Sequence, residues 1–319
     1  MTLSRILIGI VIAAAVLGGI VYGMTRNTSP TAEPVVRIGY LQIVAGLPAH
    51  VMRHEEYLEK AGVPYELVPF ASSNEAYDAL VRGDLDIMAG MSYLPIFLNE
   101  PKQPGLVKLF RPFDLTTDGY YDVMIVKKDS PIKTIQDVAG KTIGVYPGST
   151  LTNFTKYYLA KQGIDLTNTK LTQLTPATLL PALEAGSIDA AIAYQPNAII
   201  ALESGSYREL EHDIYAKSFD HSPIGGAAIR AGFLNNHPVL AEKAHAGVEA
   251  AYQFMQDHPS DARAILANFL KLDPALAQKV PLPAYSGTYD SAHVQKLIGF
   301  LREIGEIQDT VDAESLRYR

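Results

Sequence analysis

Two stretches of the chain repeat each other. The first is Ala79-Leu-Val-Arg-Gly-Asp-Leu-Asp-Ile-Met-Ala-Gly-Met-Ser-Tyr-Leu-Pro95, and the second is Ala182-Leu-Glu-Ala-Gly-Ser-Ile-Asp-Ala-Ala-Ile-Ala-Tyr-Gln-Pro196. Each reads as a helix end, a glycine stop, a short buried strand and a loop holding Tyr and Pro. Upstream of each lies a matching strand that runs into a loop and a helix, Arg37-Ile-Gly-Tyr40 and Thr142-Ile-Gly-Val145. The repeat constrains the chain to two similar α/β halves. Open α/β sheets bind ligands outside the carboxyl ends of their strands. Two such edges facing each other make a cleft, and function is expected there.

The 319 residues suffice for two lobes with full cores. A net charge of -7 argues against a nucleic-acid surface, which needs clustered Lys and Arg, but leaves room for a small anion at one local site. There is no Cys, so no disulfide, thiolate zinc site or thiol nucleophile is available. Ile6 to Met24 is almost wholly apolar between Arg5 and Arg26. Its length suits one spanning helix, a retained membrane anchor, better than the shorter apolar region of a signal peptide. Val21-Tyr-Gly23 still offers a small-residue cleavage site. Either reading makes the remainder an exported, extracytoplasmic protein. The polar linker Asn27–Pro34 then closes a segment of residues 1–34.

Along the rest of the chain, strands are expected at Val35–Tyr40, Tyr65–Phe70, Leu85–Ala89, Leu106–Phe110, Tyr121–Lys128, Lys141–Tyr146, Leu171–Leu174, Ile188–Ala193 and Ile224–Arg230. The last of these returns to the first half. Helices are expected at Ala49–Ala61, from the Ser72…Glu75 capping box to Gly83, from Leu151 to Gly163, and from Pro176 to Ala185. Three more follow, at Pro238–Gln256, Ser260–Lys271 and Ser291–Ile304, with Asp290 as N-cap and a loose polar tail after them. These elements put lobe 1 at 35–122 plus 220–319 and lobe 2 at 123–219.

Val36-Arg-Ile-Gly-Tyr40, the two Ala-Leu-x-x-Gly-x-[Leu/Ile]-Asp repeats, Ile135-x-Asp-Val-Ala-Gly-Lys-Thr-Ile-Gly-Val-Tyr-Pro-Gly-Ser149 and Phe233-Leu-Asn-Asn-His-Pro238 stand in one order. With them the chain, from about Val35 to Ala275, resembles the solute-binding proteins of ABC importers, in the nitrate/sulfonate/taurine and thiamine-pyrimidine group. The resemblance implies a type II periplasmic-binding-protein fold: two lobes of mixed sheet with flanking helices, crossed between twice, with an interlobe cleft. It implies a ligand held in that cleft and delivered to an ABC permease in the membrane. Many relatives are anchored through an acylated Cys. This chain has none, so only the N-terminal apolar helix could hold it at a membrane.

Pro147-Gly148-Ser149-Thr150 precedes a helix, whose first N–H groups lack internal partners and lie at the positive end of its dipole. That suits an anion such as nitrate, sulfonate or carboxylate. The same residues also read as a plain N-cap, with Ser149 or Thr150 satisfying its own helix; the resemblance favours the ligand. Ser92 and Tyr93, and Tyr194 and Gln195, end the repeated strands, and by resemblance are cleft positions; packing at the lobe rim is the rival role for each Tyr. Gln42 in the first loop and Tyr120 at the crossing complete the candidates. Asp86 and Asp189 precede their strands, on the edge away from the ligand, and read as structural.

Ala139-Gly-Lys-Thr142 mimics a phosphate-loop tail, but the required earlier Gly is Ile135. His54-Glu55 lacks a second His, since position 58 is Leu58. His50 and His54 lie one helical turn apart with no third ligand nearby, so no metal or cofactor is expected. Nor is an enzyme: the sequence reads as a binder of a small organic anion (sulfonate, taurine or nitrate-like). The alternatives are a thiamine-type pyrimidine or other flat aromatic ligand, favoured by Tyr93, Tyr120 and Tyr194, and an enzyme or membrane-anchored sensor on the same fold.

Overall fold

In the computed structural model, which describes residues 34–219, 221–285 and 287–319, each repeat organises one sheet. The strands are β1 (Val36–Leu41), β2 (Tyr65–Phe70), β3 (Ile87–Ser92), β4 (Val107–Leu115), β5 (Asp122–Lys127), β6 (Thr142–Val145), β7 (Lys170–Gln173), β8 (Ala190–Tyr194), β9 (Tyr207–His212), β10 (Ser222–Arg230) and β11 (Ala284–Tyr285). One sheet has the order β11-β4-β10-β3-β1-β2 and the other β7-β6-β8-β5-β9. The parallel triplets β2-β1-β3 and β7-β6-β8 are equivalent. Each has an antiparallel neighbour beyond its third strand, β10 in one and β5 in the other. In both cases that neighbour is the strand on which the chain arrives from the other sheet. The chain crosses twice, from β4 to β5 and from β9 to β10. The apolar segment Ile6–Met24 lies outside the described residues, and among those described no helix is long and apolar enough to span a membrane.

The repeated residues have the same work in both sheets. Asp86 N–H donates to the Arg37 carbonyl (3.0 Å) and its carboxylate accepts from Arg37 N–H (3.0 Å). Asp189 does the same with Thr142, at 2.8 Å each way. The apolar residue before each Asp fills the space over the strand glycine. A Cβ on Gly39 would lie 2.8 Å from Leu85 Cδ2, and one on Gly144 2.5 Å from Ile188 Cδ1. The motif therefore couples a first strand to the third strand beside it.

Ser72 caps the helix Ser73–Arg82 through Glu75 N–H (3.2 Å), and Gly83 ends it at φ 82°. Glu75 reaches back to Ala71 N–H, one residue outside the cap (3.3 Å). A proline in the first or second position starts six of the described helices, where its missing N–H costs nothing. Two expectations are corrected. The helix expected at 49–61 is two, Leu47–His54 and Tyr57–Lys60, because Glu56 takes a left-handed turn at φ 57°. The C-terminal tail is docked: Tyr318 N–H donates to the Leu109 carbonyl at 3.0 Å, and its ring stacks on His245 at 3.9 Å.

The two crossings clasp each other. Asp213, at φ 50°, accepts from the N–H groups of Tyr120 and Tyr121, each at 3.0 Å. Asp122 accepts from Ile214 N–H at 2.8 Å. Burial, then the neighbouring Asp213 carboxylate, pushes the Asp122 carboxyl well above the usual range.

Two imidazoles, His50 buried and His245 partly so, contribute to the response to acid. His50 stacks on Phe269 (3.6 Å), as His245 does on Tyr318. Burial, and then Arg53 beside His50 and Arg111 beside His245, lowers each from 6.5 to about 4. Between those values the unfolded chain binds protons that the folded chain refuses. Stability from this source is full above pH 6.5 and is lost as the pH falls towards 4. Urea unfolding across that window should show a shallower decline in His50→Gln and His245→Gln than in the parent; parallel declines would refute the assignment.

Candidate functional site

The carboxyl ends of the parallel strands open on one cavity of about 540 Å³. One wall carries Leu41, Gln42, Ile43 and Ala45 at and after the end of β1, Pro69–Asn74 at and after the end of β2, Gly90 and Ser92 from β3, and Phe113 and Ile224. The facing wall carries Tyr146, Pro147, Gly148 and Leu151 after β6, Thr175–Ala177 after β7, and Tyr194 and Asn197 after β8. Tyr121, on the first crossing, stands between them.

Three helices of nine residues or more start at these walls, at Ser73, Ser149 and Pro176. The first is capped by Ser72; the other two, both on the second wall, have no side-chain cap. Gly148, at φ 131°, brings its backbone to the cavity as the N-cap of the Ser149 helix. Partial positive charge at such starts suits an anionic or electron-rich group.

The side chains add neutral polarity. Tyr146 Oη accepts from Asn197 Nδ2 (2.7 Å), which also reaches the Pro176 carbonyl (3.0 Å). Ser73 Oγ accepts from Ser92 N–H (3.0 Å). Tyr121, Tyr146 and Tyr215 surround the Tyr194 ring at centroid distances of 5.3–5.5 Å. The Tyr194 hydroxyl is buried without a hydrogen bond of normal geometry. Burial raises the Tyr121, Tyr146 and Tyr194 hydroxyls far above 10, so all three stay neutral. Among the described residues, no Asp, Glu, Lys, Arg or His lines the cavity.

The walls touch at several points. Asn74 Oδ1 accepts from Ser149 N–H at 3.3 Å, and Val44 N–H donates to the Gln195 carbonyl at 3.3 Å. Farther out, Lys279 pairs with Glu203 at 3.0 Å, Asn153 bonds Glu306, and Tyr157 meets Phe300 edge-on.

Of the candidates read from sequence, Gln42, Ser92, Gly148 and Tyr194 line the cavity. Ser149 lies beside it, in the contact with Asn74; the side chain of Thr150 lies outside the described residues. Tyr93, Tyr120 and Gln195 are not among the lining residues. Tyr93 is fully buried, its hydroxyl donating to the Phe110 carbonyl (2.7 Å) with the Ala227 carbonyl at 3.1 Å. Gln195 is also fully buried, donating to the Tyr120 carbonyl (2.9 Å) and accepting from Ile199 N–H (3.3 Å). Tyr120 turns at φ 51° and bonds Glu209. The structure adds Phe70, Asn74, Phe113, Tyr121, Tyr146 and Asn197. Asn74 and Tyr146 each stand within four residues of a parallel strand's carboxyl end, the signal that could have found them.

A sequence model of the NMT1-like family matches residues 29–271. The chain belongs to the NMT1-like family. An Escherichia coli K12 protein named for binding aliphatic sulfonates is 26% identical to this NMT1-like chain over 212 residues, 62% of the chain and 60% of that protein's length. A Bacillus subtilis 168 protein of the same name is 23% identical over 227 residues, 71% of this chain and 66% of its own. Among solved structures, the alkanesulfonate-binding protein from Xanthomonas axonopodis pv. citri, bound to MOPS, superposes with a TM-score of 0.73 at 20% identity, covering 91% of this chain and 100% of that one. The periplasmic nitrate-binding protein of Synechocystis PCC 6803 gives 0.69 at 14% identity, covering 88% and 84%. The shared fold is that of periplasmic binding proteins, with two mixed sheets and flanking helices.

Proposed function

We propose that this chain is the extracytoplasmic solute-binding component of an ABC importer and holds a small organic anion, a sulfonate, between its lobes. The observation that carries the reading is the cavity at the carboxyl ends of both parallel triplets, with two uncapped helix starts on one wall. The relatives named for sulfonates support it. Gln42, Asn74, Ser92, Tyr146, Gly148, Tyr194 and Asn197 form the ligand shell in this reading. Ser149 joins the lobes, while Tyr93, Tyr120 and Gln195 position the loops. The lobes are 35–122 plus 220–319 and 123–219, closing on the ligand about the Asp122–Asp213 clasp. Binding without chemical change then presents the closed form to a permease, and an apolar N-terminal segment that is kept would hold the protein at the membrane.

Calorimetric titration of the purified full chain with a panel of alkane- and arenesulfonates, nitrate and carboxylates tests this. A sulfonate at a hundred times its dissociation constant should add about 2.7 kcal/mol to stability, a rise of several degrees in Tm. Asn74→Ala combined with Ser149→Ala should weaken that binding without lowering the ligand-free Tm by more than a few degrees. A folded chain that shows neither heat nor shift with any anion of the panel would overturn the reading.

A further inference from the structure

We propose that the ligand is a sulfonate with no cationic group and an apolar body the size of a ring, and that the site rejects zwitterions such as taurine and small inorganic anions such as nitrate. The proposal rests on the reading above that the cavity is the ligand site, and it names the ligand class of that site.

Charge is the first argument. Among the described residues the lining includes no carboxylate, so an ammonium group would be buried there without a counter-ion. Asp122 and Asp213, acids at the two crossings, already accept backbone N–H groups. They are not part of the lining. Nor do the described lining residues include Lys, Arg or His, so dipoles are the groups they offer an anion. A sulfonate spreads one charge over three oxygens and suits several N–H and hydroxyl donors at once. The helix starts after Gly148 and Thr175 supply N–H groups, those of the lining residues Leu151 and Ala177, since Asn74 already holds Ser149 N–H and Pro176 has none.

Size and surface are the second. A volume of about 540 Å³ falls within the usual range for organic ligands, and a nitrate would leave most of it empty. Phe70, Phe113, Tyr121, Tyr146 and Tyr194 present aromatic surface to that space. Flat apolar bodies gain most from such walls.

Four compounds titrated into the full chain separate these features: benzenesulfonate, taurine, nitrate and benzenesulfonamide. Benzenesulfonate should bind at least about a hundredfold more tightly than taurine or nitrate, because an unpaired buried charge or an unfilled cavity each costs affinity at that scale. It should also exceed the uncharged sulfonamide by about tenfold or more. Taurine or nitrate binding as tightly as benzenesulfonate would overturn this inference and leave the sulfonate-importer reading standing. Sulfonamide matching sulfonate would overturn the anionic half of it. No binding by any sulfonate, including simple alkanesulfonates, would overturn both.

Discussion

Asp86→Ala should destabilise the folded chain by about 3 kcal/mol, and Asp189→Ala, at the equivalent place in the second repeat, by about 1 kcal/mol. Both carboxylates accept from a backbone N–H at the start of the central strand of their parallel triplet, Arg37 in β1 and Thr142 in β6. They differ in surroundings. Asp189 is exposed and makes that one bond to Thr142, which water can replace. Asp86 is buried and also binds two guanidinium groups, Arg37 through Nε and Nη2 (3.1 Å each) and Arg230 through Nη2 (2.8 Å). Removing it strands two cations against a buried strand end, and losing one partner of a buried pair costs about 3–5 kcal/mol. The arginine side chains are 31% and 22% exposed, which places the loss at the lower end. Urea unfolding of both variants at neutral pH measures it. Equal losses would show that the arginines, and not the shared backbone contact, contribute nothing.

That contrast shows what could be read in advance. The repeat is local: a helix end, a glycine stop and an apolar run, all set by nearest neighbours along the chain. It was enough to mark the paired halves, most strand ends and the structural role of both aspartates. What lies beyond it is set by distant partners. Tyr93 and Tyr194 follow their repeats at nearly the same position, yet only Tyr194 reaches the cavity. Tyr93 turns inward because Gly226, in β10, leaves room for it. A Cβ there would stand 2.2 Å from the Tyr93 hydroxyl. No feature near Tyr93 announces that glycine. Gln195 likewise lies beside the right loop but spends its side-chain amide on the Tyr120 carbonyl across the crossing. β9, Tyr-Arg-Glu-Leu-Glu-His, was not foreseen, because a half-exposed edge strand carries no apolar run. The character of the walls also needed the cavity: with no ionic side chain among the described lining residues, backbone dipoles and hydroxyls are the groups left to hold a ligand's charge.

The walls depend on a second close approach, and Gly90→Ala should break it. Gly90 in β3 and Gly186 after the Pro176 helix share the same φ of 71°, so alanine meets a positive φ at both. At Gly186 a Cβ would have nothing within 4 Å. The strain of about 1–2 kcal/mol is partly offset by a stiffer unfolded chain, leaving a loss of about 1 kcal/mol. At Gly90 the Cβ would fall 1.7 Å from the Ala45 carbonyl oxygen, so backbone must move. Adding overpacking of about 1–3 kcal/mol raises the loss to about 2–4 kcal/mol. The displaced segment is the one that presents Gln42, Ile43 and Ala45 to the cavity and bonds Val44 N–H to Gln195 across the lobes. Gly90→Ala should therefore weaken ligand binding at least tenfold even under conditions where it is fully folded, whereas Gly186→Ala should bind as the parent does. Unfolding curves and a sulfonate titration on the two variants separate the effects. Similar losses of stability at both sites would mean that backbone conformation alone demands these glycines. A large loss at Gly90 with binding intact would mean that the segment yields without moving the wall.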